Sequence, residues 1–152
     1  MQVEIRRAHP EEAGTLTEIA HAAKRHWGYP ESWIQQWQPD LTITPDFIAN
    51  NEVFVAIAGQ QIAGCCALVM TGSLAEIEHM WIRPEHMGGG VGRALFDHAK
   101  ARAAEKGATA LELSADPNAE GFYERMGAKR IGEVRADMGG QSRVLPRMKI
   151  EL

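Results

Sequence analysis

The chain of 152 residues has no excess of positive charge, no long apolar run and only two cysteines. Its net charge of −4 disfavours nucleic-acid binding, which requires a basic face. No stretch approaches the roughly 20 apolar residues of a membrane span, and residues 1–12 contain no apolar core of a secretory signal. We therefore expect a cytoplasmic protein with neither a nucleic acid nor a membrane as its partner.

The cysteines and histidines are arranged in a way that argues against two further kinds of site. Cys65 and Cys66 are adjacent in an apolar run, and neighbouring residues on a strand point to opposite faces. This geometry disfavours a disulfide between them, so we expect both to fill the core in a reducing compartment. The six histidines form no His/Cys cluster with metal-ligand spacing, and no metal site is predicted.

The composition, with 45% hydrophobic and 24% charged residues, is typical of a soluble globular protein, and no repeat or linker interrupts the chain. We expect one domain over residues 1–152. Hydrophobic periodicity and turn residues predict the order β-α-α-βββ-α-β-α-ββ. This order indicates an α/β (α+β) fold with a mixed, mostly antiparallel central sheet and helices on both faces. Thr44 before Pro45 predicts a capped helical turn, and Gly107 predicts the end of the helix that begins at Val91. Pro146 in the last strand predicts an edge strand or a bulge.

The rest of the chain is organised around residues 74–98. A predicted strand, Glu76–Ile82, ends at Arg83-Pro84 and is followed by the glycine-rich run Gly88–Gly92, which opens a predicted helix. Glycines at a helix start suggest that the backbone approaches a ligand, and the unpaired N–H groups there favour a phosphate. A flexible surface turn is the alternative. No Lys-Ser/Thr follows the glycines, which argues against a nucleoside-triphosphate loop, and their late position weakens a dinucleotide-binding interpretation.

Two motifs in this part of the chain resemble those of the GCN5-related N-acetyltransferases (GNATs). The run Met80-Trp81-Ile82-Arg83-Pro84 with the glycines after it is similar to the family's pyrophosphate signature. Asn118-Ala119, followed by Phe122-Tyr123 and Gly127, is similar to the family's second cofactor element. The predicted helix and strand between the two motifs also match the family. The resemblance implies a GNAT-like fold and transfer of an acetyl group from acetyl-CoA, the cosubstrate, to an amine of a small molecule or peptide.

The resemblance also implies which residues bind the cofactor. Backbone groups of Met80 and Ile82 would pair with the pantetheine arm, and the N–H groups from Gly88 to Arg93 would hold the pyrophosphate. Met87 departs from the family, which usually has Arg or Gln there. Asn118 would bind the pantetheine carbonyls, although capping of the next helix also explains it. The implied cofactor-binding residues are Met80, Trp81, Ile82, Met87, Gly88, Gly89, Gly90, Val91, Gly92, Arg93, Asn118 and Tyr123.

Acetyl transfer to an amine requires a base for the amine proton and an acid for the departing thiolate. A lysine-like amine, with a pKa of about 10.4, must lose a proton before it attacks. Glu76 and Glu78 lie on one face of their strand, about 6.6 Å apart along it, and two such carboxylates raise the pKa of at least one. We predict a Glu general base, Glu78 slightly ahead of Glu76; the alternative is that both face water. His79 points to the other face and is predicted to be structural. The resemblance implies that Tyr123 protonates the departing CoA thiolate.

The acceptor site and the rival functions rest on the resemblance as well. In the family the acceptor enters between the first two helices and the last hairpin loop, which here implies Trp27, Tyr29, Trp33 and Arg143. Packing explains the aromatic residues equally well, and a plain surface position explains Arg143. The last strands would permit a homodimer. A non-catalytic acyl-CoA-binding sensor is the alternative function, and a phosphate binder without acyl chemistry lacks a well-placed lysine or ribose-binding acid.

Overall fold

The structure, a computed structural model, describes residues 3–152. Its elements follow the predicted order, with one added helical turn, Gln38–Leu41, after the second helix. The strands are β1 Val3–Arg7, β2 Glu52–Ala58, β3 Gln61–Thr71, β4 Leu74–Ile82, β5 Ala110–Ser114, β6 Lys129–Arg135 and β7 Val144–Glu151. The helices are α1 Ala13–His26, α2 Glu31–Gln36, α3 Gln38–Leu41, α4 Pro45–Asn50, α5 Val91–Glu105 and α6 Glu120–Arg125. Single 3-10 turns occur at Pro10–Glu12, Pro84–His86 and Pro117–Ala119.

The seven strands are hydrogen-bonded in the order β1-β2-β3-β4-β5-β7-β6. The pairs β1–β2, β2–β3, β5–β7 and β6–β7 are antiparallel, whereas β4 and β5 run parallel where Leu74–Glu76 meets Ala110–Glu112. A parallel pair needs a crossover connection, and α5 lies in the segment that joins these two strands. The prediction of a mixed, mostly antiparallel sheet is confirmed.

The chain forms two compact units, of which the first runs up to Leu68 and continues with His79–Ala99. Leu16 and Ile19 of α1 are fully buried against Val53 and Val55 of β2. On the opposite face of β2 the Phe54 ring contacts His98 of α5, with 4.5 Å between ring centroids. Adjacent residues of one strand thus bury opposite faces, and a helix covers each face.

The second unit consists of Val69–Glu78 and Lys100–Leu152. Here β7 pairs with β5 on one side and β6 on the other, and all seven residues of β6 are exposed. Gly127 follows α6 with a φ of +99°, and Ala128 N donates to the Tyr123 carbonyl at 3.0 Å. A left-handed glycine after a helix lets the chain reverse without a side-chain clash, so Gly127 fixes the end of the helix that carries Tyr123.

The prediction that Pro146 makes β7 an edge strand or marks a bulge is wrong. Pro146 lies in an internal strand, in regular register with Glu133 of β6. Its carbonyl accepts from Ala115 N at 2.9 Å, one residue beyond the end of β5. In an extended chain the N–H and C=O of one residue point to the same side, so the missing N–H lies where the β5 ladder has ended. The register shift in this hairpin lies instead between Arg130 and Gly132.

Two helix ends and the two cysteines are as predicted. Thr44 Oγ1 caps α4 by accepting from Phe47 N at 3.0 Å, and Gly107 follows α5 with a φ of +90°. Cys65 and Cys66 are free and fully buried, and burial raises the pKa of the Cys65 thiol to about 12 and that of Cys66 further. Within the described residues no helix has the length and apolar character to cross a membrane.

Candidate active site

The glycine loop, defined as Gly88–Gly92, is held in place by the turn before it. Arg83 N donates to the Ala63 carbonyl at 2.8 Å, and Arg83 Nε donates to the Ile62 carbonyl at 2.6 Å. These two bonds fasten the end of β4 to β3. Gly88 and Gly90 then adopt φ values of +81° and +88°, which side-chain-bearing residues rarely adopt. The sequence therefore needs glycine at these two positions for the backbone to turn into α5.

Backbone donors and open space meet at the start of α5. Ala94 N donates to the Gly90 carbonyl at 3.0 Å, so the N–H groups of the three preceding residues lie in the turn that an α-helix leaves unsatisfied. A Cβ added at Gly88 or Gly90 would have nothing within 4 Å. The positive end of the helix dipole favours an anion at this place. The loop can therefore accept a phosphate group through its backbone.

The part of β4 in the first unit carries the predicted residues Met80, Trp81 and Ile82, all half-buried. The Trp81 ring packs against two groups of buried apolar residues, one containing Leu16 and the other Ala20 of α1. Its Nε1 donates to His79 Nδ1 at 2.9 Å. The Phe47 ring stands perpendicular to His79, with 5.6 Å between centroids. Burial lowers the pKa of His79 to about 4. A tryptophan N–H only donates, so His79 is a neutral acceptor, in line with a structural role.

Acid should destabilise the protein through His79. The folded state keeps this imidazole neutral down to about pH 4, while the unfolded chain takes up the proton near pH 6.5. Stability is therefore complete above pH 6.5 and falls between pH 6.5 and 4, by about 3 kcal/mol at most. His79→Asn, which keeps an acceptor for Trp81, should flatten the plot of unfolding free energy against pH in urea titrations. His26→Asn, at an exposed position, should leave the slope unchanged; equal slopes in all three proteins would contradict the prediction.

The part of β4 in the second unit carries the two glutamates, and their surroundings differ. Arg147 of β7 binds Glu76 through both carboxylate oxygens, at 2.5 and 2.6 Å. Glu78 is exposed, and among residues 3–152 no hydrogen bond or ion pair reaches its carboxylate. Partial burial raises the pKa of Glu78, the charge of Glu76 raises it further, and Arg147 opposes the shift. Of the two carboxylates, Glu78 has the chemistry of a proton acceptor.

Tyr123 and Asn118 lie at either end of the α6 region, in the second unit. Tyr123 is buried, with its ring edge-on to Phe122 at 5.0 Å between centroids. Asn118 is exposed, and its backbone N and its Nδ2 both donate to Asp116 Oδ1 at 2.9 Å. Asp116 thus caps the turn before α6.

Three of the implied acceptor residues, Trp27, Tyr29 and Trp33, lie in the first unit and do not form one cluster. Tyr29 and Trp33 stack with 5.9 Å between centroids, and Trp37 packs edge-on against both. Lys24 Nζ lies over this group, 4.4 Å from the Trp37 centroid. Trp27 contacts the His26 ring instead and is 38% exposed.

Arg143, the fourth implied acceptor residue, lies in the second unit. Its side chain is only 11% exposed and has Nη2 at 3.9 Å from Asp116 Oδ2, so the interpretation as a plain surface residue is wrong. Arg143 thus pairs with Asp116, whose carboxylate also caps the turn before α6.

Three residues with a part in these sites were not predicted. They are Arg83, which fastens the turn before the glycine loop, and Asp116 and Arg147, which engage Asn118 and Glu76. A signal existed for Asp116, since Asp-Pro-Asn is a typical helix-start sequence. No local signal existed for Arg147, because its partner lies 71 residues away.

The model of the Acetyltransferase (GNAT) family matches residues 16–128 of the chain. The protein belongs to the GNAT family. The match includes β4, the glycine loop and Tyr123. As a GNAT enzyme the protein is an acyltransferase with acetyl-CoA as its cosubstrate. No curated protein sequence matches the chain.

Solved GNAT structures share the fold over nearly the whole chain. A GCN5-related N-acetyltransferase from Rhodopseudomonas palustris has a TM-score of 0.81 at 19% identity, covering 100% of this chain and 97% of that chain. The PaiA N-acetyltransferase from Thermoplasma acidophilum, solved with coenzyme A, has a TM-score of 0.76 at 22% identity, covering 100% of both chains. YncA from Salmonella typhimurium, solved with acetyl-CoA, has a TM-score of 0.72 at 17% identity, covering 99% and 94%. At these identities the likeness shows the fold.

The residues of this GNAT protein fit the cosubstrate. The open backbone cradle at Gly88 and Gly90 suits the CoA pyrophosphate, which needs N–H donors and a close approach of the main chain. Met87, half-buried before the cradle, contributes no charge to it. Among the described residues no group of three or more His, Cys, Asp or Glu side chains could hold a metal ion.

Proposed function

We propose that the protein acetylates a primary amine by direct attack on acetyl-CoA, with Glu78 as general base and Tyr123 as general acid. The amine nitrogen forms a bond to the acetyl carbonyl carbon, and the bond from that carbon to sulfur breaks. Glu78 takes the proton that the amine gives up, and Tyr123 gives a proton to the thiolate that leaves. The observation that carries the proposal is the exposed Glu78 carboxylate beside the Glu76–Arg147 pair.

The state of Glu78 supports its role as the base. A general base must be ionised before the reaction and must hold the proton afterwards. A raised carboxyl pKa makes the carboxylate a stronger base and brings its pKa nearer to neutral pH. Glu76 is less suited because Arg147 engages both of its oxygens. A proton on Glu76 would cancel the negative charge that makes these hydrogen bonds strong.

The role of Tyr123 rests on its chemistry and its fixed position. A phenol has an ordinary pKa of about 10 and a thiol one of about 8.5, so a tyrosine is protonated at neutral pH and can share its proton with a forming thiolate. Tyr123 is 5% exposed and sits one turn before Gly127, which holds the end of α6. A buried, well-fixed hydroxyl suits a proton donor better than a mobile one.

We assign the CoA pyrophosphate to the backbone of Gly88–Gly92 and Arg93, and the pantetheine arm to the backbone of Met80 and Ile82. An extended amide chain can pair with a strand as a further strand would, so side chains matter little along the arm. Trp81 supports β4 from the core through its packing and its bond to His79. Asn118 and Tyr123 are also assigned to the cofactor, as the family resemblance implies.

Gly90→Ala should weaken coenzyme A binding by about tenfold, because an alanine at a φ of +88° strains the loop by about 1–2 kcal/mol. Relaxing that strain turns the N–H donors away from the phosphate position. Isothermal titration with coenzyme A measures the effect. Gly59→Ala is the matched control, since Gly59 has a φ of +65°, has open space around it and forms the turn between β2 and β3. Both variants should lose similar stability; equal loss of affinity in both would contradict the assignment.

The acceptor is proposed to lie along Trp27, Tyr29 and Trp33, whose ring faces suit an organic cation. Lys24 Nζ lies 5.1 Å from the Tyr29 centroid, which supports the view that a face of this ring suits a cation. Arg143 is a weaker candidate for a substrate carboxylate because Asp116 faces it. These assignments favour an acceptor that is cationic before it reacts.

The test of the proposed function combines binding with turnover. Acetyl-CoA and CoA are titrated into the purified protein, and free-thiol release is then followed over a panel of amines. We expect micromolar binding and thiol release with at least one amine. Binding without release on any amine would favour the sensor function, and absence of binding would contradict the assignment of the CoA pyrophosphate to Gly88–Gly92.

A further inference from the structure

The guanidinium of Arg147 joins three strands of the second unit. Its Nη1 and Nη2 donate to the two oxygens of Glu76 on β4, at 2.6 and 2.5 Å. Its Nε and Nη2 donate to Glu112 Oε1 on β5, at 3.2 and 3.0 Å, and Nη1 also donates to Ser114 Oγ at 3.1 Å. Arginine has five N–H donors, and these five bonds engage all of them. The register places Glu76 opposite Glu112 and Ser114 opposite Arg147, so the three strands present these groups on one face.

This arrangement separates the two carboxylates of β4. Both oxygens of Glu76 are bound by Arg147, and the side chain is 25% exposed. Glu78 lies two residues further along the strand, beyond the last β4–β5 pair at Glu76. Arg147 has no N–H left to reach Glu78. A carboxylate bound by an arginine fork is held firmly, whereas an unbound one is available to a substrate.

We propose that Arg147 is a positioning residue for acetyl transfer: it holds Glu76 in place and keeps its own donors away from Glu78, so that Glu78 alone takes the amine proton. The inference rests on the proposed function, in which Glu78 is the base. It adds that the identity of the base is decided by a residue of β7 that touches no reacting atom.

The charges around Glu78 set the direction of the expected effects. Its neighbour on β4 is Glu76, β5 contributes Glu112, and β7 contributes Arg147 and Lys149. The negative charge of Glu76 raises the pKa of Glu78 and the positive charge of Arg147 lowers it. Loss of Arg147 should therefore shift the acid limb of the rate profile to higher pH, and loss of the Glu76 charge should shift it to lower pH. A purely structural defect would not produce opposite shifts.

The experiment measures kcat/KM against pH for an amine whose own pKa lies near 10, with acetyl-CoA saturating. On the acid limb, Arg147→Met should reduce kcat/KM, relative to its plateau, by about threefold or more, and Glu76→Gln should increase it by a similar factor. Lys149→Met is the matched control. It removes one positive charge from the same strand, and Lys149 Nζ pairs with Glu151 at 3.3 Å rather than with Glu76. Its acid limb should shift much less than that of Arg147→Met, because the charges that shift the pKa of Glu78 are those of Glu76 and Arg147.

Two results would overturn the proposed role of Arg147, and the variant Glu78→Gln distinguishes them from failure of the proposed base. An unmoved limb in both variants, or shifts in the same direction, would show that Arg147 does not select the base. If Arg147→Met does not fold, the test rests on Glu76→Gln, which keeps the shape of the side chain. In this variant the acid limb should move to lower pH. Glu78→Gln is measured alongside. If it keeps the acid limb, the proposed base is wrong; if it alone loses the limb, only the inference about Arg147 falls.

Discussion

Glu78→Gln is expected to lower kcat for acetyl transfer by about 10²–10⁴-fold, because general-base catalysis contributes that much when the base is lost. The amide keeps the size of the side chain and removes its basicity. Acetyl-CoA affinity should stay unchanged, since the Glu78 side chain is not among the assigned cofactor contacts. The measurement is steady-state thiol release with the amine found in the panel, together with titration of acetyl-CoA.

The pH dependence makes this prediction sharper. In the parent protein kcat/KM should rise with pH through the pKa of Glu78, which burial and the Glu76 charge hold above its usual range. Glu78→Gln should lack this limb. Its deficit should shrink as the pH approaches about 10.4, where a lysine-like amine loses its proton without a base.

If the rate of Glu78→Gln is reduced by the same factor at every pH, Glu78 has a binding role instead. A rate within threefold of the parent protein would exclude Glu78 as the base. Glu4→Gln is the control, because Glu4 is also an exposed strand glutamate, in β1 of the first unit. It should leave kcat and the pH profile as they are.

Signals that act over a few residues predicted most of the elements. Thr44 before Pro45 predicted the start of a helix, and Gly107 predicted the end of α5. These signals work because the hydrogen bond or the backbone angle that fixes the boundary lies within the same few residues. The alternation of Glu76 and Glu78 on one face likewise follows from the two-residue period of a strand.

Features that depend on which strands become neighbours were not predictable in this way. Pro146 could be placed in an internal strand only by knowing that β5 ends at Ser114. The Arg147–Glu76 fork needs β7 beside β5 and β5 beside β4, and nothing near either residue encodes that order. Glu76 and Glu78 are equivalent by local spacing, and it is this distant arginine that distinguishes them.

The glycines likewise include some that local sequence explains and one that only a distant contact explains. Gly88 and Gly90 stand out in sequence because several glycines open one helix, and their positive φ values explain them locally. Gly64 lies alone in the apolar run of β3 and has no unusual φ. Its reason is a close approach from β4 and α5, and no pattern around residue 64 predicts it.

Gly64→Ala should lower the free energy of unfolding by about 2–3 kcal/mol, or about 5–10 °C in Tm for a chain of this size. A Cβ at this position would lie 2.8 Å from the Trp81 carbonyl oxygen, 2.9 Å from Ile82 Cδ1 and 3.3 Å from Leu95 Cδ1. The carbonyl belongs to the backbone of β4, so it cannot turn aside as a side chain can. Thermal and urea unfolding followed by circular dichroism measure the loss.

Gly132→Ala is the matched control. Gly132 is also a strand glycine without a positive φ, and a Cβ there meets nothing within 4 Å. This variant should be neutral or slightly stabilising, because alanine restricts the unfolded chain more than glycine does.

Adding Ile82→Val to Gly64→Ala separates the two close contacts. The valine removes Cδ1, and with it the 2.9 Å clash, but leaves the Trp81 carbonyl where it is. Relative to Ile82→Val alone, the alanine should therefore remain clearly destabilising. If the double variant instead recovers the stability of Ile82→Val, the isoleucine side chain is the obstacle, and the backbone of β4 yields to a methyl group more easily than we infer. Because the proposed pantetheine contacts are backbone groups of Met80 and Ile82, a shift of this backbone should also weaken acetyl-CoA binding.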